Sequence, residues 1–413
     1  MGMLAARPLA NLLATLMDRR AFLGRADGAL DIEASCRQLL AERDETTGMY
    51  LASSILARYL TLGPDALLAF FRFLNEDLEI DAARIADLAG AYRDAPEGGG
   101  YGALRSATEP VRQRLFRRLN EAPGATAAIV RMREDLLRLL PDHPALARTD
   151  HDLRQLLGSW FNRGFLVLQR ITWDSPASIL EKIIAYEAVH EIDTWDDLRR
   201  RLQPEDRRCF AFFHPSVPSE PLIFVEVALT QGTPGSIQAL LSDKREALPE
   251  AEADTAVFYS ISNCQPGLAG VSFGNSLIKQ VAHDLSRDLP NLRTFVTLSP
   301  VPGLTAWLAA RGGAPAPSDP ARLLPLAASY LLDARDGRGR PLDPVARFHL
   351  GNGAQVHALH AGADLSAKGL AASSGVMVNY LYDLGRISQN AAGFADKGLI
   401  AATPAVRALA RKA

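Results

Sequence analysis

The sequence predicts an α+β protein: an all-helical N-terminal domain over residues 1–160, then an α/β domain over residues 161–413. Three observations predict it. Apolar residues recur at helical spacing through the first third, which carries no strand pattern. From Arg208 onward, runs rich in β-branched and aromatic residues take over. Within this second part, Ala256–Leu308 reads as strand, glycine-rich turn, helix, strand and polar elbow, and the rest of the chain is organised around it.

The 413 residues are enough for two or three domains, and a composition of 48% hydrophobic and 22% charged residues can bury a sizeable core. The net charge of −2 calls for neither nucleic acid nor an anionic membrane. Cys36, Cys209 and Cys264 are far apart and form no C-x-x-C, so no disulfide framework or zinc site is expected and a reducing compartment is. No run of about 18 apolar residues predicts a membrane span.

In chain order, Leu9, Leu12, Leu13 and Leu16 predict a first helix. Asp18, Asp27, Asp31 and Glu33 follow it, unlike a secretory signal. Gly48–Leu62, Asp65–Leu74 and Ala82–Tyr92 are amphipathic, the second opened by Gly63-Pro64. Asp94–Gly100 reads as a flexible break. Glu109–Leu119 and Thr126–Leu140 form a helical pair around Pro123-Gly124. Asp152–Val167 predicts one more helix, and residues 178–189 and Trp195–Leu202 two more. Arg208–Phe213 and Leu222–Leu229 predict antiparallel strands joined by a proline-rich turn. Glu226 sits inside that apolar run. It reads first as the solvated face of an edge strand; the competing reading is a buried carboxylate near the site.

Ala256–Ser262 predicts a strand, and Leu277, Ile278, Val281 and Leu285 a helix that Pro290 stops. Between them lie Gly267, Gly270 and Gly274. A glycine turn that opens a helix offers free N–H groups and a positive dipole end to a phosphate. The spacing is neither G-x-G-x-x-G nor a Walker loop, and tight strand-to-helix packing would explain the glycines equally well. Ser299 tips the next strand, Phe295–Leu298, where a parallel sheet would bring it beside the turn. Further on come a helix from Thr305, a loop over Gly312–Pro320, a helix over Arg322–Leu332, the run Val345–Ala354, a strand over Gln355–Leu359 and a tail helix over Asp396–Ala410.

Seven blocks then stand in order: ITWDSP, EAVHEI, RRCFAFFHP, PLIFVEVAL, FYSISNCQPGLAGVSFGNSLIK, FVTLSPVPGLTAWL and FHLGNGA. Together they resemble the malonyl-CoA decarboxylase family from about residue 150 to residue 385. The resemblance implies a helical N-terminal domain used in oligomerisation, as a dimer or tetramer. It also implies a catalytic domain related in fold to the GCN5-like N-acetyltransferases (GNAT). The implied reaction turns malonyl-CoA into acetyl-CoA and CO2 with no metal and no organic cofactor. Carried over residue by residue, Ala269, Gly270, Val271, Ser272, Phe273, Gly274 and Asn275 would hold the CoA pyrophosphate. Ser299, in TLSPVPG, His349, in FHLGNGA, and Tyr382, in NYLYDL, would be the catalytic residues. Some members carry a glutamate inside the glycine turn where this chain has Ser272.

The chemistry can be argued from the residues as well. Loss of CO2 from a malonyl thioester leaves an enolate, so donors aimed at the thioester oxygen lower the barrier. The carboxylate must be held out of the carbonyl plane, and C2 then needs a proton. Ser299 is assigned to orienting the carboxylate and His349 to protonation, on the expectation that its pKa lies near working pH. The simplest competing readings are a turn-forming serine and a packed histidine. His190, His214, His283, His357 and His360 are read as packed residues, and no carboxylate pattern completes a metal site. Alternative functions are an acyl-CoA N-acyltransferase, which needs an amine acceptor, and a non-catalytic acyl-CoA-binding or assembly protein. A thioesterase is a minor variant. The C-terminus, Arg411-Lys412-Ala413, is not a peroxisomal Ser-Lys-Leu, and a cytoplasmic location is expected.

Overall fold

The structure, a computed structural model, describes residues 31–271, 277–313 and 319–413. The helix expected over Leu9–Leu16, and Ser272, Phe273, Gly274 and Asn275 of the glycine turn, lie outside the described residues. The chain divides into two compact units, one ending at Leu157 and one spanning Gly158–Ala413. No described helix is long and apolar enough to cross a membrane.

The first unit is helical: α1 (Ile32–Ala41), α2 (Glu45–Tyr59), α3 (Pro64–Glu76), α4 (Ala82–Asp94), α5 (Gly100–Ala107), α6 (Val111–Leu119), α7 (Ala125–Leu139) and α8 (Ala147–Trp160). Asp31, Asp44 and Asp81 cap α1, α2 and α4 by accepting from the backbone N–H three residues on, which satisfies donors a helix start leaves unpaired. Phe70, Phe71, Leu115, Phe116, Ile129 and Leu136 are all but fully buried. Arg112 is buried among them, with Asp152 at 2.5 Å and Glu79 at 3.0 Å.

The sequence predicted a helix through Val167, but α8 stops at Trp160. Asn162 and Gly164 turn the chain there, the Asn162 side chain accepting from the Gly164 N–H at 3.0 Å. Val167–Ile171 is instead strand β1. Then follow α9 (Ala177–Tyr186), α10 (Trp195–Leu202), β2 (Arg207–Phe213), β3 (Ile223–Thr230), the single turn α11 (Ile237–Leu240) and β4 (Thr255–Asn263). After them come α12 (Leu277–Asp288), β5 (Thr294–Thr297), β6 (Ser299–Pro300), α13 (Leu304–Ala309), α14 (Pro320–Leu332), α15 (Pro344–Gly351), β7 (Gln355–His360), α16 (Ala367–Ser373) and β8 (Met377–Leu381). The predicted tail helix is two: α17 (Ile387–Lys397) ends on left-handed Gly398, and α18 (Pro404–Ala410) restarts at a proline, so the six residues between cannot continue either.

The sheet runs β1-β2-β3-β4-β5-β8-β6, with β7 paired to β8. β4 and β5 pair parallel; every other neighbouring pair of described strands is antiparallel. The α+β class therefore holds. Ile179, Leu180 and Ile183 of α9 and Leu198 of α10 pack on Cys209, Ala211 and Phe224, each large aliphatic contributing about 1.5–3 kcal/mol by leaving water. Ala228, Val257, Val296, Leu298 and Met377 form a second cluster.

The edge-strand reading of Glu226 is overturned. β3 lies between β2 and β4, and Glu226 is wholly buried with Arg201 at 3.0 Å. Burial pushes its pKa up to about 8 against the pull of Arg201. Cys264 is a buried filler whose thiol is pushed far above the ordinary range by burial.

Candidate active site

β5 and β6 are one run of chain broken at Leu298. Period-2 alternation puts Thr297 and Ser299 on the same side. The Ser299 hydroxyl donates to Thr297 Oγ1 at 2.9 Å. The same oxygen accepts the backbone N–H of Tyr380, on β8, at 3.1 Å. Beyond Ser299 the elbow is pinned: the Val301 N–H donates to Ser373 Oγ at 3.1 Å, and the Tyr330 hydroxyl to the Pro302 carbonyl at 3.2 Å. Gly303, at φ 87°, holds a backbone conformation that strains any side chain, and a Cβ there would press on the Tyr330 hydroxyl 2.8 Å away.

His349 comes from α15. Asp343 caps this helix by accepting from the Ala346 N–H at 2.7 Å, and Pro344 occupies its first position. After the helix, Gly353 at φ 86° lets the chain pass the Ile387 carbonyl, where a Cβ would sit 2.1 Å away. His349 Nε2 lies 3.3 Å from Ser299 Oγ, and Nδ1 lies 2.7 Å from the Tyr382 hydroxyl. Tyr380 stacks on the imidazole, with ring centroids 4.5 Å apart. Phe348 meets it edge-on.

Three of the predicted site residues, Ser299, His349 and Tyr382, are thus brought together, all nearly buried. They line or back a cleft of about 260 Å3, with Phe258, Tyr259, Val345 and Phe348 among its walls. Clefts of about 470 and 700 Å3 lie beside Asp206 and between α17 and α18, but no histidine lines either. Of the glycine turn, Ala269, Gly270 and Val271 are described. The Ala269 and Val271 N–H groups bond back to Pro266 and Leu268. Gly270 adopts φ 75°, which glycine alone takes without strain.

One expectation needs correcting. His349 does not titrate near working pH: burial without any facing charge pulls its pKa down to about 3. The imidazole is neutral. Burial also drives the Tyr382 phenol well above its ordinary value, so Tyr382 remains a donor. The hydrogens then follow one direction: Tyr382 O–H to Nδ1, Nε2–H to Ser299 Oγ, Ser299 O–H to Thr297.

Sequence reasoning missed Thr297, Tyr380 and Asp343. Thr297 had a signal, two residues before Ser299 on a strand. Asp343 had another, an aspartate-proline helix start. Tyr380 had none, since stacking on His349 depends on how β8 lies against α15. His190 is half-buried, and desolvation of its ring pulls its pKa down to about 4. Among the described residues, no group of His, Cys, Asp and Glu side chains could hold a metal.

Fold and site together define an α+β protein with a buried serine–imidazole–phenol relay at a cleft. Comparison with known proteins places it further. The malonyl-CoA decarboxylase C-terminal domain matches residues 164–319 and 315–413, and the N-terminal domain of the same family matches residues 78–161. Malonyl-CoA decarboxylase, mitochondrial, of Anser anser anser is 36% identical over 381 residues, covering 78% of this chain and 75% of its own. That of Rattus norvegicus is 34% identical over 357 residues, covering 74% and 72%. The crystal structure of malonyl-CoA decarboxylase from Rhodopseudomonas palustris superposes with a TM-score of 0.85 at 49% identity, covering 91% of this chain and 98% of that one. The one from Agrobacterium vitis gives 0.87 at 47%, covering 92% and 100%. The chain belongs to the malonyl-CoA decarboxylase family and is a carboxy-lyase.

Proposed function

We propose that the chain converts malonyl-CoA to acetyl-CoA and CO2 at the Ser299–His349–Tyr382 relay, with the acyl end of the thioester in the cleft. The observation that carries this reading is the pairing of both imidazole nitrogens, Nε2 with Ser299 and Nδ1 with Tyr382. Ser299 holds the substrate carboxylate out of the thioester plane. The C1–C2 link to the carboxylate breaks, CO2 leaves, and the electron pair becomes the enolate. His349 gives its Nε2 proton to C2 while Nδ1 receives the Tyr382 proton. Neutral groups suffice, because a thioester enolate is a far stronger base than a phenolate. Solvent returns the proton once product has left.

Ala269–Asn275 is proposed to meet the CoA pyrophosphate, supported by its place between a strand and a helix start. Assembly as a dimer or tetramer through the helical unit, and a cytoplasmic setting, belong to the same proposal.

The test is a coupled acetyl-CoA assay with malonyl-CoA as sole substrate, which an N-acyltransferase or a binding protein would not pass. Ser299→Ala and His349→Asn should each lower turnover by two or more orders of magnitude, with unchanged circular dichroism and oligomer size. Full activity in either would remove the assignment.

A further inference from the structure

Enzymes that form a serine ester orient the relay oppositely: the serine O–H points at the imidazole, and an acceptor on the far nitrogen holds the tautomer. Here the far nitrogen faces a phenol donor, and the serine proton is committed elsewhere. Thr297 is fully buried. Its oxygen takes the Tyr380 N–H on one lone pair and the Ser299 proton on the other. The Tyr380 N–H belongs to β8, so the acceptor is fixed by the sheet itself. Ser299 therefore offers His349 only a lone pair, across 3.3 Å.

The geometry points to Thr297 as the positioning residue that decides the fate of the thioester: by taking the Ser299 proton, it keeps Ser299 from attacking the carbonyl and so suppresses hydrolysis of malonyl-CoA. The inference rests on the Ser299–His349 reading above and concerns which of two reactions that pair performs.

In the wild type the Ser299 proton passes only between Thr297 and the substrate carboxylate; without the Thr297 oxygen, His349 Nε2 is the acceptor that the described residues leave it before substrate binds. The imidazole then carries its proton on Nδ1, and the Tyr382 hydroxyl rotates to accept it. The pair is now set for acyl transfer. Ser299 Oγ bonds to the thioester carbon as Nε2 takes its proton. The C–S bond breaks, and that proton leaves on the sulfur as CoA thiol. Water then attacks the malonyl ester, one water proton returns to Ser299 through His349, and malonate leaves. The sum is malonyl-CoA plus water to malonate plus CoA, with no oxidant or reductant.

The experiment follows both products from malonyl-CoA: acetyl-CoA by the coupled assay and free CoA by a thiol reagent, with intact-protein mass spectrometry for a malonyl adduct. Thr297→Val fills the same volume without the acceptor. It should lower acetyl-CoA formation about tenfold and raise the share of turnovers ending in free CoA at least about tenfold. An adduct should appear that is absent from Thr297→Val/Ser299→Ala. Thr297→Ser should restore the wild-type product ratio, a rescue that a purely packing role does not predict. Thr297→Cys, whose sulfur accepts weakly, carries the same test if valine disturbs the core. Acetyl-CoA as the only product of both variants would overturn the inference, as would loss of acetyl-CoA with no gain in free CoA. Failure of the underlying reading looks different: there Ser299→Ala or His349→Asn alone would retain decarboxylation.

Discussion

His349 is held neutral because nothing charged faces it. Tyr380 covers one face and Tyr382 donates to Nδ1. With a folded pKa of about 3 against an ordinary 6.5, the ring carries no proton switch in the physiological range. The pH profile of kcat/KM should therefore show no histidine limb between about pH 5 and 8, and an inflection near 6.5 that disappears in His349→Asn would contradict it. The same depression acts on stability. Between pH 6.5 and about 3 the unfolded ring is protonated and the folded one is not. Stability is thus full above 6.5 and falls by up to roughly 1.4 kcal/mol per pH unit as pH drops through that window. Tyr382→Phe keeps the ring volume and removes the donor. It should cost about 1–3 kcal/mol of barrier, roughly ten- to a hundredfold in kcat, with KM little changed. The three relay residues were legible because their motifs were. The neutral state of the imidazole was not, since it depends on rings that β8 and the flanking chain bring from a distance.

The element that aims the imidazole is α15, and its N-cap is unusual. Asp343 is wholly buried, with Oδ1 on the Ala346 N–H and no partner for Oδ2. Burial lifts its pKa from 3.8 to about 7, against two backbone N–H groups and Arg347. Across that window the folded chain keeps a proton that the unfolded chain has released, so stability falls as pH rises from about 4 to 7. Asparagine caps a helix as well as aspartate does and never ionises. Asp343→Asn should match the wild type near pH 4 and exceed it in stability at pH 8. Asp343→Ala should lose about 0.5–2 kcal/mol at every pH for want of a cap. Urea melts at the two pH values decide between these outcomes. An Asp343→Asn protein no more stable than the wild type at pH 8 would show that the buried acid is already relieved by another group. Elements with strong periodicity and a proline at their start, such as α3 and α14, could be read from the sequence. β1 could not: its residues continue the apolar rhythm of α8, and only pairing with β2 makes them a strand.

At the scale of the whole chain, both units bury ion pairs inside apolar cores, Glu226 with Arg201 in the unit with the sheet. The unit with the sheet buries aliphatic and aromatic rows between strands and helices. The helical unit buries an ion cluster: Arg112 bonds Asp152 at 2.5 Å and Glu79 at 3.0 Å, and Gln113 donates to the other Asp152 oxygen at 2.7 Å. The helical character of that unit was plain from spacing. The cluster was not, because Arg112 and Asp152 sit 40 residues apart and each reads alone as a solvated charge. Arg112→Ala leaves Asp152 buried and uncompensated, which should cost the helical unit about 3–5 kcal/mol. Glu79 stays paired with Arg148 at 3.0 Å, so replacing Arg112 and Asp152 together by leucine should recover most of the loss. Trp173, Trp195 and Trp307 lie in the other unit, and Trp160, the last residue of α8, falls just past the boundary at Leu157. In Arg112→Ala the helical circular dichroism should therefore begin to melt about 1–3 M urea earlier. The tryptophan fluorescence transition should stay near its wild-type midpoint, so the two probes cease to coincide. If both probes shift together, the two units unfold as one, and the buried arginine supports the entire chain.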